Sequence, residues 1–437
     1  MPRPEPGRRA RQPILKVGRS SGLSSAIIGT YWGGGLIPVD DRRYYGLDAL
    51  RGGMMLLGIA LHAAMLYLTA PPPTIPLPTD RNNAYVFDLI FNFIHSFRMP
   101  TFFLLSGFFT SLLIEKRGLW GTYRNRASRV LAPLAAGSVT ILPVTVLFML
   151  DFALSARFGT HDLIPDRQAL RALGQEMRAA GVPAGDPGFG HLWFLYYLCL
   201  FYLLIPVCRI LAKSSLKFEN PIRRWLVSPL LLAAFALYTS ATLWPFRGGQ
   251  VHEGFIELRP HPPSLIYYGS FFVLGYLLHH CREILPALAR KLPLWAVLAA
   301  LLFPLSIYAS HLDNNAHGAD FALHLGAVLA NGLFTWTLIY LFLGTALRFF
   351  DRDSPWIQYV SQSSYWVFLV HLPLVCFAGW WLVQFDFPAV LKFLAVCGFT
   401  AVAGFLSFHY WVQKTWISSF LHGRRFDLNW PWRGGKI

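Results

Sequence analysis

Charge is what this 437-residue chain has least of. Only 14% of its residues are Asp, Glu, Lys or Arg, against about 25% in an ordinary soluble protein. With 54% hydrophobic residues and a mean hydropathy of +0.43, that shortage excludes a soluble globular protein and predicts a polytopic membrane one. Cysteine is scarce too. The five residues (Cys199, Cys208, Cys281, Cys376, Cys397) lie in or at the ends of apolar runs, and none forms a CxxC pair. They read as small hydrophobes, with no disulfide framework and no metal site. Acidic residues are few, and within the apolar runs they fall near the ends: Asp48, Asp88 and Asp151. A cation pathway would be expected to place carboxylates at the midplane. No internal repeat and no pair of matching broken segments is visible, which argues against a secondary transporter.

The net charge of +16 would suggest nucleic acid in a soluble protein. Here the basic residues must be sorted by loop. Runs of about 20 apolar residues mark crossings. Ten candidates occur, at 46–69, 86–114, 130–154, 191–209, 226–245, 264–281, 293–311, 321–347, 357–382 and 388–412. With the N-terminus inside, 28 Lys and Arg fall on the cytoplasmic side and seven outside. An odd number of spans would destroy that asymmetry. The expectation is an all-α protein of about ten transmembrane helices with both termini cytoplasmic. Residues 1–43, basic and rich in Pro, Gly and Ser, read as a disordered cytoplasmic tail. Residues 413–437 form a second basic tail. In the outer loop 157–190, Leu170, Leu173 and Met177 share one face of a surface helix.

The first span, "LDALRGGMMLLGIALHAAMLYL", retains Asp48, Arg51 and His62. Arg51 and His62 lie about three turns apart on one face, some 16 Å along the axis. They cannot touch, so they serve different depths. Arg51 lies towards the cytoplasm and Asp48, one turn below, can pair with it. His62 lies in the outer half. The second span, "FIHSFRMPTFFLLSGFF", brings His95 and Arg98 to a similar depth. Ser106 follows on nearly the same face, nearer the cytoplasm, and Pro100 is expected to kink the helix. Arg98 is costly at this depth, so it should face a polar cavity or a carboxylate. "GHLWFLYYL" places His191 and Trp193 at the outer mouth of the fourth span, and "SSYWVFLVHLPL" places His371 in the ninth. Depth alone therefore predicts a cluster of His62, His95 and Arg98, joined by His191 and His371. Neutral and basic linings suit an anionic substrate. For His324 and His409, helix–helix hydrogen bonding is the simpler role. The loop "EKRGLWGTYRNRASR" offers Arg124, Arg126 and Arg129 to cofactor phosphates, although charge sorting alone would also place them there.

These motifs together resemble the membrane acyltransferase-3 family. "LDALRG", with Arg51, ten intervening residues and then His62, is similar to its signature. "FNFIHSFRMPTFFLLSGFF", "GHLWFLYYL" and "SYWVFLVHLPL" resemble its second-, fourth- and ninth-span motifs, in the right order, over about residues 42–415. The similarity is greatest to the branch that succinylates periplasmic glucans. The resemblance implies a transmembrane acyltransferase domain over 44–412 in a bacterial inner membrane. His62, Arg51, Arg98 and His95 would be catalytic, with Asp48, Ser106, His191, Trp193 and His371 around the substrate. It implies an acyl-CoA donor, succinyl or acetyl, and a glycan acceptor, with no permanently bound cofactor and no nucleic-acid partner. Acyl transfer from a thioester needs a base for the hydroxyl proton, and neutral histidine, with a reference pKa of about 6.5, suits it. The tetrahedral oxyanion needs donors such as Arg98 and His95. Arg98 is equally able to grip a succinyl carboxylate. Direct transfer and a covalent intermediate on His62 or Ser106 both satisfy the pattern. Other readings keep the fold: an O-acetyltransferase of O-antigen or exopolysaccharide sugars, an anion or lipid-linked sugar transporter, or a structural partner in glycan synthesis.

Overall fold

The computed structural model describes residues 43–71, 79–161, 167–179, 188–215, 229–251, 258–316, 320–427 and 430–431. Residues 1–42 and 432–437, most of the first expected tail and the end of the second, lie outside the described residues. Every regular element described is helical. The first half carries α1 (Tyr45–Met65), α2 (Tyr85–Arg126), a π turn (Ala127–Leu131), α3 (Ala132–Phe158), α4 (Arg167–Ala179), α5 (Trp193–Tyr202) and α6 (Ile205–Ser215). The second carries α7 (Pro229–Leu243), α8 (Pro262–His280), α9 (Leu285–Arg290), α10 (Leu292–Asn315), α11 (Phe321–Phe349), α12 (Pro355–Leu382), α13 (Ala389–Ser407) and α14 (Trp416–His422).

Among the described residues, six continuous helical stretches are long and apolar enough to cross a membrane, or seven if the pair Gly190–Tyr202 and Ile205–Lys213, bent by 54°, crosses as one. One of the six, Tyr85–Phe158, runs for 74 residues. A crossing needs about 20. The stretch is interrupted at Gly118, whose φ of 68° is not helical, so it holds material for more than one crossing. Apolar α7 and α8 are shorter. The amphipathic α4 forms as its periodicity predicted, with Leu173 buried against Ala153 and Leu154.

Without a hydrophobic drive between lipid-embedded helices, close packing and interhelical hydrogen bonds hold the bundle. The α2–α8 seam depends on two glycines. A Cβ on Gly107 would stand 1.9 Å from the Phe272 carbonyl oxygen, and one on Gly275 1.8 Å from that of Leu104. The helices therefore touch backbone to backbone. Lys392 of α13 is fully buried and donates to Asp80 at 2.7 Å. The Asp88 carboxylate accepts from the Thr69 backbone N–H, the Thr69 hydroxyl and the Ala70 N–H. Asp80 and Asp88 thus fasten the described ends of the α1–α2 connection to neighbouring helices.

Pro100 does not interrupt α2. Proline removes one N–H, which orphans the carbonyl four residues earlier, here Ser96. The Thr335 hydroxyl of α11 donates to that oxygen at 3.0 Å, so a neighbouring helix supplies the missing bond. Thr335→Val should cost about 0.6–1.7 kcal/mol, the range for interhelical bonds in membranes. Reversible unfolding of the reconstituted protein would read it, and no loss would show that the carbonyl needs no partner.

Candidate active site

α1 packs along both α2 and α12, and this brings the expected polar residues together. The His62 and His371 ring centroids are 5.2 Å apart, and those of His191 and His371 5.5 Å. Arg98 is buried, 6% exposed. No carboxylate among the described residues pairs with it; its Nε–H donates to the Met54 carbonyl at 2.8 Å. The guanidinium fits because α1 has no side chain at Gly58. A Cβ there would stand 2.4 Å from Arg98 Nη2 and 3.3 Å from His371 Nε2.

Backbone carbonyls fix two of the imidazoles. A carbonyl only accepts, so the nitrogen facing it must carry the proton. His371 Nδ1–H donates to Phe368 at 2.6 Å, which leaves a lone pair on Nε2. His191 Nε2–H donates to Leu369 at 2.9 Å, which leaves one on Nδ1. Leu369 lies four residues before Pro373, whose missing N–H frees that oxygen. Thus Pro373 of α12 orients His191 from another helix. Both remaining nitrogens, His191 Nδ1 and His371 Nε2, are buried without a partner. Two acceptor nitrogens beside a guanidinium suit a bound hydroxyl.

His62 is half-buried, with Nδ1 against the Met65 sulfur at 3.2 Å. His95 sits at the edge, stacked on Phe91, with Nε2–H donating to the Val251 carbonyl. That carbonyl belongs to a loop fastened from above. Gly248 N–H donates to Asp313, and His324 bridges Asp313 and the Trp244 carbonyl. His324 is therefore a helix–helix hydrogen-bonding residue. Trp193 is not in the cluster; it packs on Phe103, Tyr197 and Tyr268.

Below the histidines lies a cavity of about 420 Å³. Arg51, Lys116, Arg117, Arg126 and Arg129 line it together with Ser106, Ser361 and Ser364, and no Asp or Glu is among its lining residues. Arg51 bonds Asp48 at 3.1 Å, as the spacing predicted, and donates to Ser361 at 3.4 Å. Arg126 donates to Thr110, whose hydroxyl donates to the Ser106 carbonyl. Its guanidinium covers the Tyr202 ring, and its Nε is buried without a partner. Arg124 is exposed and does not line the cavity. Phe102 and Phe194, edge to face at 4.4 Å, wall its inner end. Phe194 leads by ring contacts through Phe368 to His371.

Sequence reading missed a further constellation. Ser111 Oγ lies 3.0 Å from His279 Nδ1, and His279 Nε2 3.4 Å from Glu115. A nucleophile needs access. Ser111 and His279 are 3% and 1% exposed, in the α2–α8 seam, and neither lines the basic cavity. The group ties two helices together.

A family model described as an acyltransferase domain, acyltransferase-3, matches residues 44–409. The Glucans biosynthesis protein C of Escherichia coli strain K12 / DH10B is 24% identical over 389 residues, covering 84% of this chain and 90% of that protein. The protein of the same name from Escherichia coli O6:K15:H31 is 24% identical over 395 residues, with the same coverage. No solved structure matches.

Proposed function

The chain belongs to the acyltransferase-3 family and is a membrane acyltransferase; we propose that it moves a succinyl group from succinyl-CoA to a hydroxyl of an envelope glucan. The supporting observation is the pair of orphaned imidazole nitrogens, His191 Nδ1 and His371 Nε2, beside His62 and a guanidinium seated at Gly58. The glucan is suggested by the names of the relatives, and succinyl by the motif resemblance.

In this reading the bundle has ten crossings, both termini lie in the cytoplasm of a bacterial inner-membrane protein, and donor and acceptor arrive from opposite sides. The donor's phosphates occupy the basic cavity, held by Arg51, Arg126 and Arg129 with Lys116 and Arg117. Charge-assisted contacts of this kind are the strong ones. Arg124 keeps only its loop-sorting role. The pantetheine arm runs past Phe102 and Phe194 and spans the roughly 16 Å between the levels of Arg51 and His62. The acceptor hydroxyl lies against the orphaned nitrogens. His62 takes its proton as the oxygen attacks the thioester carbonyl, and Arg98 faces the tetrahedral oxyanion. Collapse breaks the carbon–sulfur bond, and the leaving thiolate recovers the proton from His62. His95 holds the outer loop, and Asp48 keeps Arg51 aimed.

The test is the purified protein in nanodiscs with succinyl-CoA or acetyl-CoA and glucan oligosaccharides. The expected result is thiol release coupled to a glucan heavier by one succinyl group. An acetyl product corrects the donor. No acylated glucan and no thiol release with either donor overturns the reading.

A further inference from the structure

We propose that His422 is a binding residue for the phosphate end of the acyl donor, taking up a proton as those phosphates enter the basic cavity. This rests on the donor reading above but adds a residue beyond the family match, which ends at residue 409.

α14 is a short helix, begun by Thr415, whose hydroxyl oxygen accepts from Ile417 N–H, and ended at Gly423 with φ 72°. Its last residue, His422, lines the cavity between Leu421 and the π turn. Arg129 fastens it there by donating to the His422 carbonyl. The close seat of Gly423 on the same guanidinium allows no side chain. His422 Nε2 is buried and has no hydrogen-bond partner. A buried polar nitrogen without a partner costs free energy, and its residue lines a cavity that five cations also line.

The groups around it explain its state. Burial, then Arg129, Arg51 and Arg424, push the imidazole down to about 4, so it is neutral at pH 7. Lys116, Arg117 and Arg126 reach the same cavity from α2, Tyr202 from α5 and Tyr365, whose ring meets that of His422, from α12. No carboxylate is among the lining residues. A pyrophosphate placed among these cations reverses the local field and favours the charged imidazole. The sign follows: a group whose pKa rises on binding strengthens binding at low pH and loses that gain as pH rises through the bound value.

The experiment is calorimetry on the full chain in nanodiscs, in two buffers of different ionisation heat, with coenzyme A and dephospho-coenzyme A as probes. Dephospho-coenzyme A carries only a disubstituted pyrophosphate, with no monoester that titrates near neutrality, so any proton taken up there belongs to the protein. The expected result is proton uptake by wild type that vanishes in His422→Gln, which keeps an N–H donor but cannot charge. His422→Leu should bind about tenfold more weakly. Wild type that binds either probe with no uptake from the protein overturns the proposal without recourse to a variant. So does uptake unchanged in His422→Gln. Wild type that binds neither probe overturns the donor reading itself, and this proposal with it.

Discussion

His62→Ala loses acyl transfer by about 10²–10⁴-fold, the usual worth of a positioned base, while coenzyme A affinity and thermal unfolding stay near wild type. The separation follows from the geometry. His62 contributes no atom to the basic cavity, and its Nδ1 meets only the Met65 sulfur, at 3.2 Å. Its ring is half-buried, so truncation removes little packing. What is lost is an imidazole 5.2 Å from His371, within reach of a substrate held by the orphaned nitrogens. Thiol release and glucan mass measured on equal amounts of folded protein would check this. Full activity in His62→Ala makes His62 a packing residue and moves the base to His371 or His191. Loss of donor affinity in parallel with rate would place His62 in binding instead.

Much of this site was legible because helical periodicity and depth are arithmetic. Eleven positions separate Arg51 from His62 and place them on one face at different levels. Depth along the second span puts His95 and Arg98 at the level of His62. Asp48 and Arg51, three apart on α1, pair as that spacing requires. What was not legible depends on which helix lies beside which. Pro100 and Pro373 each announce a freed carbonyl, but only packing shows that Thr335 and His191 take them. At Pro100 the helix continues through the proline, with α11 bonding the freed Ser96 carbonyl. Arg124, Arg126 and Arg129 look alike in the sequence, yet Arg126 at the end of α2 and Arg129 in the π turn line the cavity while Arg124 stays outside. His422 had no motif to flag it. His409, expected as a helix–helix hydrogen-bonding residue, has Nδ1 3.3 Å from the Tyr359 hydroxyl of α12 and stacks on Trp430.

Gly58→Ala should reduce acyl transfer about 10²-fold with no loss of stability, although the change adds one methyl group. Glycine inside a helix is worse than alanine by up to about 1 kcal/mol, so an ordinary glycine here would be a gain to replace. At Gly58 the new Cβ would stand 2.4 Å from Arg98 Nη2 and 3.1 Å from Cζ. The obstacle is the end of a flexible side chain, so the fold yields there cheaply. The guanidinium cannot yield freely, because its Nε is tied to the Met54 carbonyl one turn back on α1. It must rotate away from His371 Nε2, and a misplacement of about 1 Å at a reacting centre is worth roughly 10²-fold. The control is on the same helix. Gly53 has nothing within 4 Å of its Cβ position, so Gly53→Ala takes the propensity gain and keeps full activity. The readouts are initial rate and unfolding temperature for the two variants side by side. If both remain active, Arg98 does not face the oxyanion, and its burial beside four histidines needs another account. If Gly58→Ala alone fails while melting as well as Gly53→Ala, the vacancy on α1 is what seats the arginine for catalysis.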